Sequence, residues 1–78
     1  MAVVLLFAQA REAAGTSSVE VAADTVAGAV AHLGERFGPA LAEIVAASRI
    51  WCNGEPVEGH TPIGAGDEVA VLPPVSGG

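Results

Sequence analysis

The chain has 78 residues, 51 % of them hydrophobic and 15 % charged, and a formal net charge of −6. A chain this short buries about 60–65 % of its unfolded surface, which allows one core and excludes two domains, while its apolar content excludes intrinsic disorder. Its only cationic side chains at neutral pH are three arginines, with no lysine, set against nine carboxylates; nucleic acid and anionic membranes are therefore not expected partners, and a basic protein surface is.

The run Val3-Val4-Leu5-Leu6-Phe7 is short, β-branched and aromatic, and predicts a strand. Gln9 to Gly15 predicts a connector with one helical turn, and the alternation in Thr16 to Ala22 a second strand, antiparallel to the first. Thr25 is a helix cap, followed by Val26, Val30, Leu33 and Phe37 on one face of a 3.6-residue period. Gly38-Pro39 ends that helix and starts a short one, Pro39 to Ala47, with Leu41, Ile44 and Val45 inward. Arg49 to Asn53 predicts a third strand, Asn53-Gly54 a tight turn, the vicinity of Pro56-Val57 a short strand, and Asp67 to Leu72 the last strand.

This order predicts an α+β fold of the β-grasp, or ubiquitin-like, type: a mixed sheet of four to five strands with one main helix packed on one face and a flexible C-terminal tail. The expected boundaries are 1–74 for the globular domain and 75–78 for the tail. The final strand should lie parallel to the first at the sheet centre. Strand parity then turns Val4, Leu6, Val69 and Val71 toward the helix and sends Val3, Leu5, Phe7, Ala70 and Leu72 to a face with no helix over it. By the same parity Trp51 joins that face, whose apolar character marks a protein interface. Cys52 alternates inward as a packing residue. As the single cysteine it excludes an internal disulfide and a cysteine-cluster metal site, and it suits a reducing cytoplasm. The apolar run Ala2 to Ala8 is far short of the ~20 residues of a membrane span, and no basic region with a cleavage site precedes it, so a soluble cytoplasmic protein is expected. His32 and His60 lack partners at metal-ligand or triad spacing, and no bound cofactor is expected.

The last stretch, GDEVAVLPPVSGG, carries the functional signal. Pro73 and Pro74 donate no ladder hydrogen bonds and favour an extended path, so they direct the chain away from the sheet. Val75 and Ser76 extend it, and Gly77 and Gly78 can thread a passage too narrow for any side chain; four residues reach about 13–14 Å. The group so delivered is the α-carboxylate of Gly78. Adenylation by ATP makes it electrophilic, and a sulfur nucleophile that displaces AMP leaves a thiocarboxylate.

These residues, with the opening VVLLFAQAREAAG, Asn53-Gly54 and above all PPVSGG, resemble the family of small, sulfur-carrying subunits of molybdopterin synthase along the whole chain. The resemblance implies that an ATP-dependent, ubiquitin-activating-like adenylyltransferase activates Gly78 and that a sulfur donor system converts it to the thiocarboxylate. It also implies that the tail enters the large catalytic subunit, in a heterotetramer of two small and two large subunits, and gives its sulfur to cyclic pyranopterin monophosphate. The chain is then not an enzyme by itself. Gly77 and Gly78 map onto the family's reactive tail, Phe7 and Leu72 onto apolar partner contacts, and Pro56 less securely; Trp51 is larger than the pattern suggests. Carriers for thiamine, cysteine or tRNA thiolation and ubiquitin-like modifiers share the fold and the two glycines, and a plain interaction module with an idle tail is the alternative from another class. The missing lysines have a chemical reading beside compositional bias, since an activated acyl group is attacked by amines.

Overall fold

The computed structural model describes residues 1–74; Val75, Ser76, Gly77 and Gly78 of the candidate tail lie outside the described residues. In chain order the elements are β1 (Ala2–Leu6), α1 (Ala8–Ala14), β2 (Ser18–Val21), α2 (Val26–Phe37), α3 (Pro39–Ala47), β3 (Arg49–Cys52), β4 (Glu55–Pro56) and β5 (Glu68–Leu72). The strands form one mixed sheet in the order β2-β1-β5-β3-β4, with β1 and β5 parallel at its centre and every other pair antiparallel.

Parity places the core as expected. Val4, Leu6, Val69 and Val71 are buried with Ala29 and Leu33 of α2 and with Leu41 and Val45 of α3 in one cluster. Gly34 sits where α2 meets α3: a Cβ there would come within 3.3 Å of the Ala42 methyl, so the missing side chain permits the close helix approach. That packing offsets the ~1 kcal/mol that glycine costs in a helix interior. Cys52 lies opposite buried Val69 and packs, partly buried, against the core.

The first, third and last strands sit within one residue of their expected bounds, and two elements differ by more. The connector after β1 is a seven-residue helix rather than a single turn, closed by Gly15 in the left-handed region at φ 75°. Its buried Ala10 gives it a foothold that local sequence, poor in large apolar residues, did not reveal. The second strand is shorter than Thr16 to Ala22, since only Ser18–Val21 pairs with β1.

The start of α2 accounts for its backbone donors completely. Val26 N–H donates to Thr61 O at 3.0 Å and Ala27 N–H to Gly59 O at 2.8 Å; Gly28 N–H reaches Thr25 Oγ1 at 3.1 Å and Ala29 N–H the Thr25 carbonyl at 3.0 Å. The loop before β5 is thereby tied to the helix, with Ile63 buried beneath it. Because one of these four donors depends on the Thr25 hydroxyl, Thr25→Ala should cost about 1 kcal/mol, which for a domain of this size lowers Tm by roughly 4–8 °C. Thermal unfolding followed by circular dichroism checks it.

Candidate functional site

The register aligns the second face of the sheet residue by residue. Ser18 lies opposite Leu5, Leu5 beside Ala70, Ala70 opposite Trp51, and Trp51 opposite Pro56, so one row crosses all five strands. Partners in register project to the same side of a sheet, and these project away from the side that carries the buried cluster. Toward the tail the next row pairs Leu72 with Arg49, and Phe7, one residue past the end of β1 and at the cap of α1, follows Leu5 by two positions. Toward the other margin lie Glu20, Val3 and Glu68. The face is thus an apolar band with carboxylates at one margin and a guanidinium at the other.

Val3, Leu5, Trp51, Ala70 and Leu72 are half-buried, Pro56 is exposed, and Phe7 is 42 % exposed. Phe7 owes its position to a corner: Ala8 takes a φ of 50°, in the left-handed region, as the chain leaves β1 for α1. Non-glycine residues adopt that region at a cost of about 1 kcal/mol or more, and here it coincides with the most exposed aromatic side chain.

Leu72 is the last residue of the ladder. Pro73, half-buried, and Pro74, exposed, follow outside any strand, so the prolines end pairing where the sequence placed the end. A groove of about 550 Å³ opens beside them, lined by Ala47, Arg49, Leu72, Pro73 and Pro74. Arg49 was not among the candidate residues. Its register partner Leu72 was, and antiparallel pairing of β3 with β5 counted from Trp51 would have found it. It brings a positive charge to the root of the tail in a strongly acidic chain.

The remaining chemistry-bearing groups serve the fold or face solvent. Burial, then the nearby Asp67 charge, pushes the Cys52 thiol up, away from the thiolate that a persulfide carrier needs. His60 lies 3.6 Å from Glu58 with both side chains open to water. Among the described residues no group of three His, Cys, Asp or Glu side chains is placed to hold a metal ion.

Asp67 and Asn53 form a clamp between the β3–β4 turn and β5. Asn53 donates through Nδ2 to Asp67 Oδ1 at 3.0 Å and accepts at Oδ1 from Glu68 N–H at 3.0 Å, while Gly64 N–H donates to Asp67 Oδ2 at 2.8 Å. The Asn53 and Gly64 hydrogen bonds hold the Asp67 carboxyl below the usual aspartate range. A lowered folded-state pKa contributes stability that is present above the unfolded value and lost as pH falls through the folded one. The stability advantage of wild type over Asp67→Asn should therefore be full at neutral pH and shrink once pH drops below about 4, as read from urea midpoints at each pH.

Fold and face together define a ubiquitin-like β-grasp domain whose central last strand ends at Leu72, with Pro73 and Pro74 following it beside an apolar face that no helix covers among the described residues. The ThiS family model matches residues 4–78, and the chain belongs to the ThiS family. It is 41 % identical over 80 residues to the molybdopterin synthase sulfur carrier subunit of Escherichia coli (strain K12), covering 96 % of each chain. The solution structure of small archaeal modifier protein 1 from Methanosarcina acetivorans superposes with a TM-score of 0.86 at 32 % identity, over 99 % of this chain and 95 % of that one. A chain from the complex of subunits 1 and 2 of the molybdopterin-converting factor of Helicobacter pylori superposes with a TM-score of 0.73 at 26 % identity, over 99 % and 97 %.

Proposed function

We infer that the chain is the sulfur-carrying small subunit of a molybdopterin synthase, acting in the cytoplasm and without catalytic activity alone. The observation that supports a carrier most directly is the course of β5. Four of its five residues pair with β1 and four with β3, and Val69, Ala70 and Val71 pair with both, so the root of the tail is held at the sheet centre, and Pro73-Pro74 end the pairing at the margin of the apolar face. The likeness to the Escherichia coli subunit favours the molybdopterin pathway.

The chemistry divides between this chain and its partners. An adenylyltransferase uses ATP: a Gly78 carboxylate oxygen attacks the α-phosphorus, pyrophosphate leaves, and an acyl adenylate forms. A sulfide-level nucleophile displaces AMP and leaves the thiocarboxylate directly; where the sulfur arrives as a donor persulfide, AMP leaves to give an acyl disulfide, and a second thiol attacks the donor sulfur, breaks the S–S bond by forming a disulfide with the donor, and leaves the thiocarboxylate. The tail then enters the large subunit, where the sulfur passes to cyclic pyranopterin monophosphate; two such transfers complete a dithiolene. Gly77 and Gly78 supply reach and width, with Val75 and Ser76 as the stem. Phe7, Trp51, Pro56, Leu72, Pro73 and Pro74 supply the docking surface, and the family's arrangement is two small with two large subunits.

Intact-mass measurement after incubation with ATP, the adenylyltransferase and a sulfur donor tests the carrier: replacement of one oxygen by sulfur at Gly78 is expected, and its consistent absence rules the carrier out. The likeness to small archaeal modifier protein 1 favours a second reading, a protein modifier; amide conjugates of Gly78 to lysines of other proteins would select it. For the docking face, Trp51→Ala should weaken binding to the large subunit at least tenfold, as aromatic anchors do, with the far-ultraviolet spectrum unchanged. Titration calorimetry reads it.

A further inference from the structure

The Asn53-Gly54 turn carries a second chemistry, independent of the tail. Asparagine followed by glycine is the pair most open to intramolecular attack, because glycine has no side chain to shield its main-chain nitrogen, and asparagine is among the thermolabile residues. Both residues stand at positive φ, 52° and 85°, in the two-residue connection between β3 and β4. The Asn53 side chain, however, is committed elsewhere: its nitrogen to Asp67 Oδ1 and its oxygen to Glu68 N–H, each at 3.0 Å, while Asn53 N–H donates to Glu68 O at 2.9 Å. Turning the Asn53 side chain toward the Gly54 nitrogen breaks its bonds to Asp67 and to Glu68, the first residue of β5.

We propose that Asn53 is a site of spontaneous deamidation whose rate is set by the clamp to Asp67 and Glu68. In the open turn the Gly54 nitrogen loses its proton to solvent and attacks Cγ. A carbon–nitrogen bond closes a five-membered imide, the bond from Cγ to Nδ2 breaks, and ammonia leaves. Water then opens the imide at either carbonyl to give aspartate or isoaspartate, with no oxidant or reductant involved. The product faces Asp67 with a carboxylate where an N–H donor stood, so the clamp cannot re-form as it was. An isoaspartate also adds a backbone carbon to the turn that sets the β3–β4 register, in which Trp51 lies opposite Pro56. Conversion thus loosens the edge of the sheet that carries two residues of the uncovered face.

The test is peptide mapping with mass detection of folded protein during prolonged incubation at mildly alkaline pH. The readout is the unit mass gain at Asn53 from loss of NH₃ and gain of H₂O. Releasing a hydrogen-bonded side chain should matter about tenfold: Asp67→Ala is expected to deamidate about ten times faster than wild type, and Asp67→Asn, which keeps an acceptor oxygen, by less. Ala10→Gly, which weakens α1 past the far end of β1 from the clamp, should stay at the wild-type rate, and wild type in urea should exceed folded wild type. Equal acceleration in Ala10→Gly and Asp67→Ala would assign the effect to general unfolding and overturn the proposal. So would equal rates for wild type folded and in urea, a comparison that holds even if Asp67→Ala does not fold.

Discussion

Deletion of Gly78 is expected to lower formation of the adenylate and thiocarboxylate by at least a thousandfold while leaving thermal stability unchanged. The shortened chain still ends in a glycine carboxylate, so no chemical group is lost. Its reach is: one residue spans about 3.3–3.6 Å, and misplacing a reacting atom by 1 Å can cost about a hundredfold in rate. Nothing in the described core depends on the tail, since the buried cluster runs from Ala2 to Val71. ATP–pyrophosphate exchange and intact mass measure the loss, and unfolding in urea measures the fold. A Gly78→Ala chain separates reach from width, because it restores the length but adds a methyl group where the passage is proposed to admit none. A shortened chain activated at the wild-type rate would remove Gly78 from its proposed role.

The parts of the fold that the sequence made legible are those where one local signal decides. Asn53-Gly54 fixed a hairpin because only a few residue pairs accept two positive φ values, and Gly38-Pro39 separated two helices because proline suits a first turn. The alternation of Val4, Leu6, Val69 and Val71 assigned the faces of two central strands, and every later inference about the apolar band grew from it. What stayed hidden depends on distant partners. The helix Ala8–Ala14 rests on a corner at Ala8 and on tertiary contacts to α3 and the sheet, neither of which is written in AQAREAA. Arg49 was invisible as a site residue until β3 was laid against β5, because a lone arginine at the start of a strand carries no motif. Asp67 read as the first residue of the last strand; its side-chain bond to Asn53, fourteen residues away, shows only once β3 is laid against β5.

Leu33→Ala is the expected counterpart of Gly78 deletion, with a large effect on the fold and none on the chemistry of the tail. Leu33 is fully buried in α2, among the largest such side chains of the core, beside Leu6, Leu41 and Val71 in one cluster. Truncation removes its transfer free energy and leaves a cavity that rigid neighbours only partly close, about 2–5 kcal/mol in all. Total stability for a chain of this length is roughly 4–12 kcal/mol, so the variant keeps a fraction of it, and a fall in Tm of more than about 10 °C follows. Below its new midpoint it should still accept sulfur at Gly78, because α2 lies on the far side of the sheet from the proposed docking face. Leu5→Ala makes the complementary measurement. Leu5 is half-buried on that docking face, so its truncation should cost the free chain less than Leu33→Ala does and should weaken binding to the large subunit. If Leu33→Ala and Leu5→Ala destabilise the isolated chain equally, the second face of the sheet is a core and not an interface. The division of labour between the two faces, on which the docking surface rests, would then fail even with the fold intact.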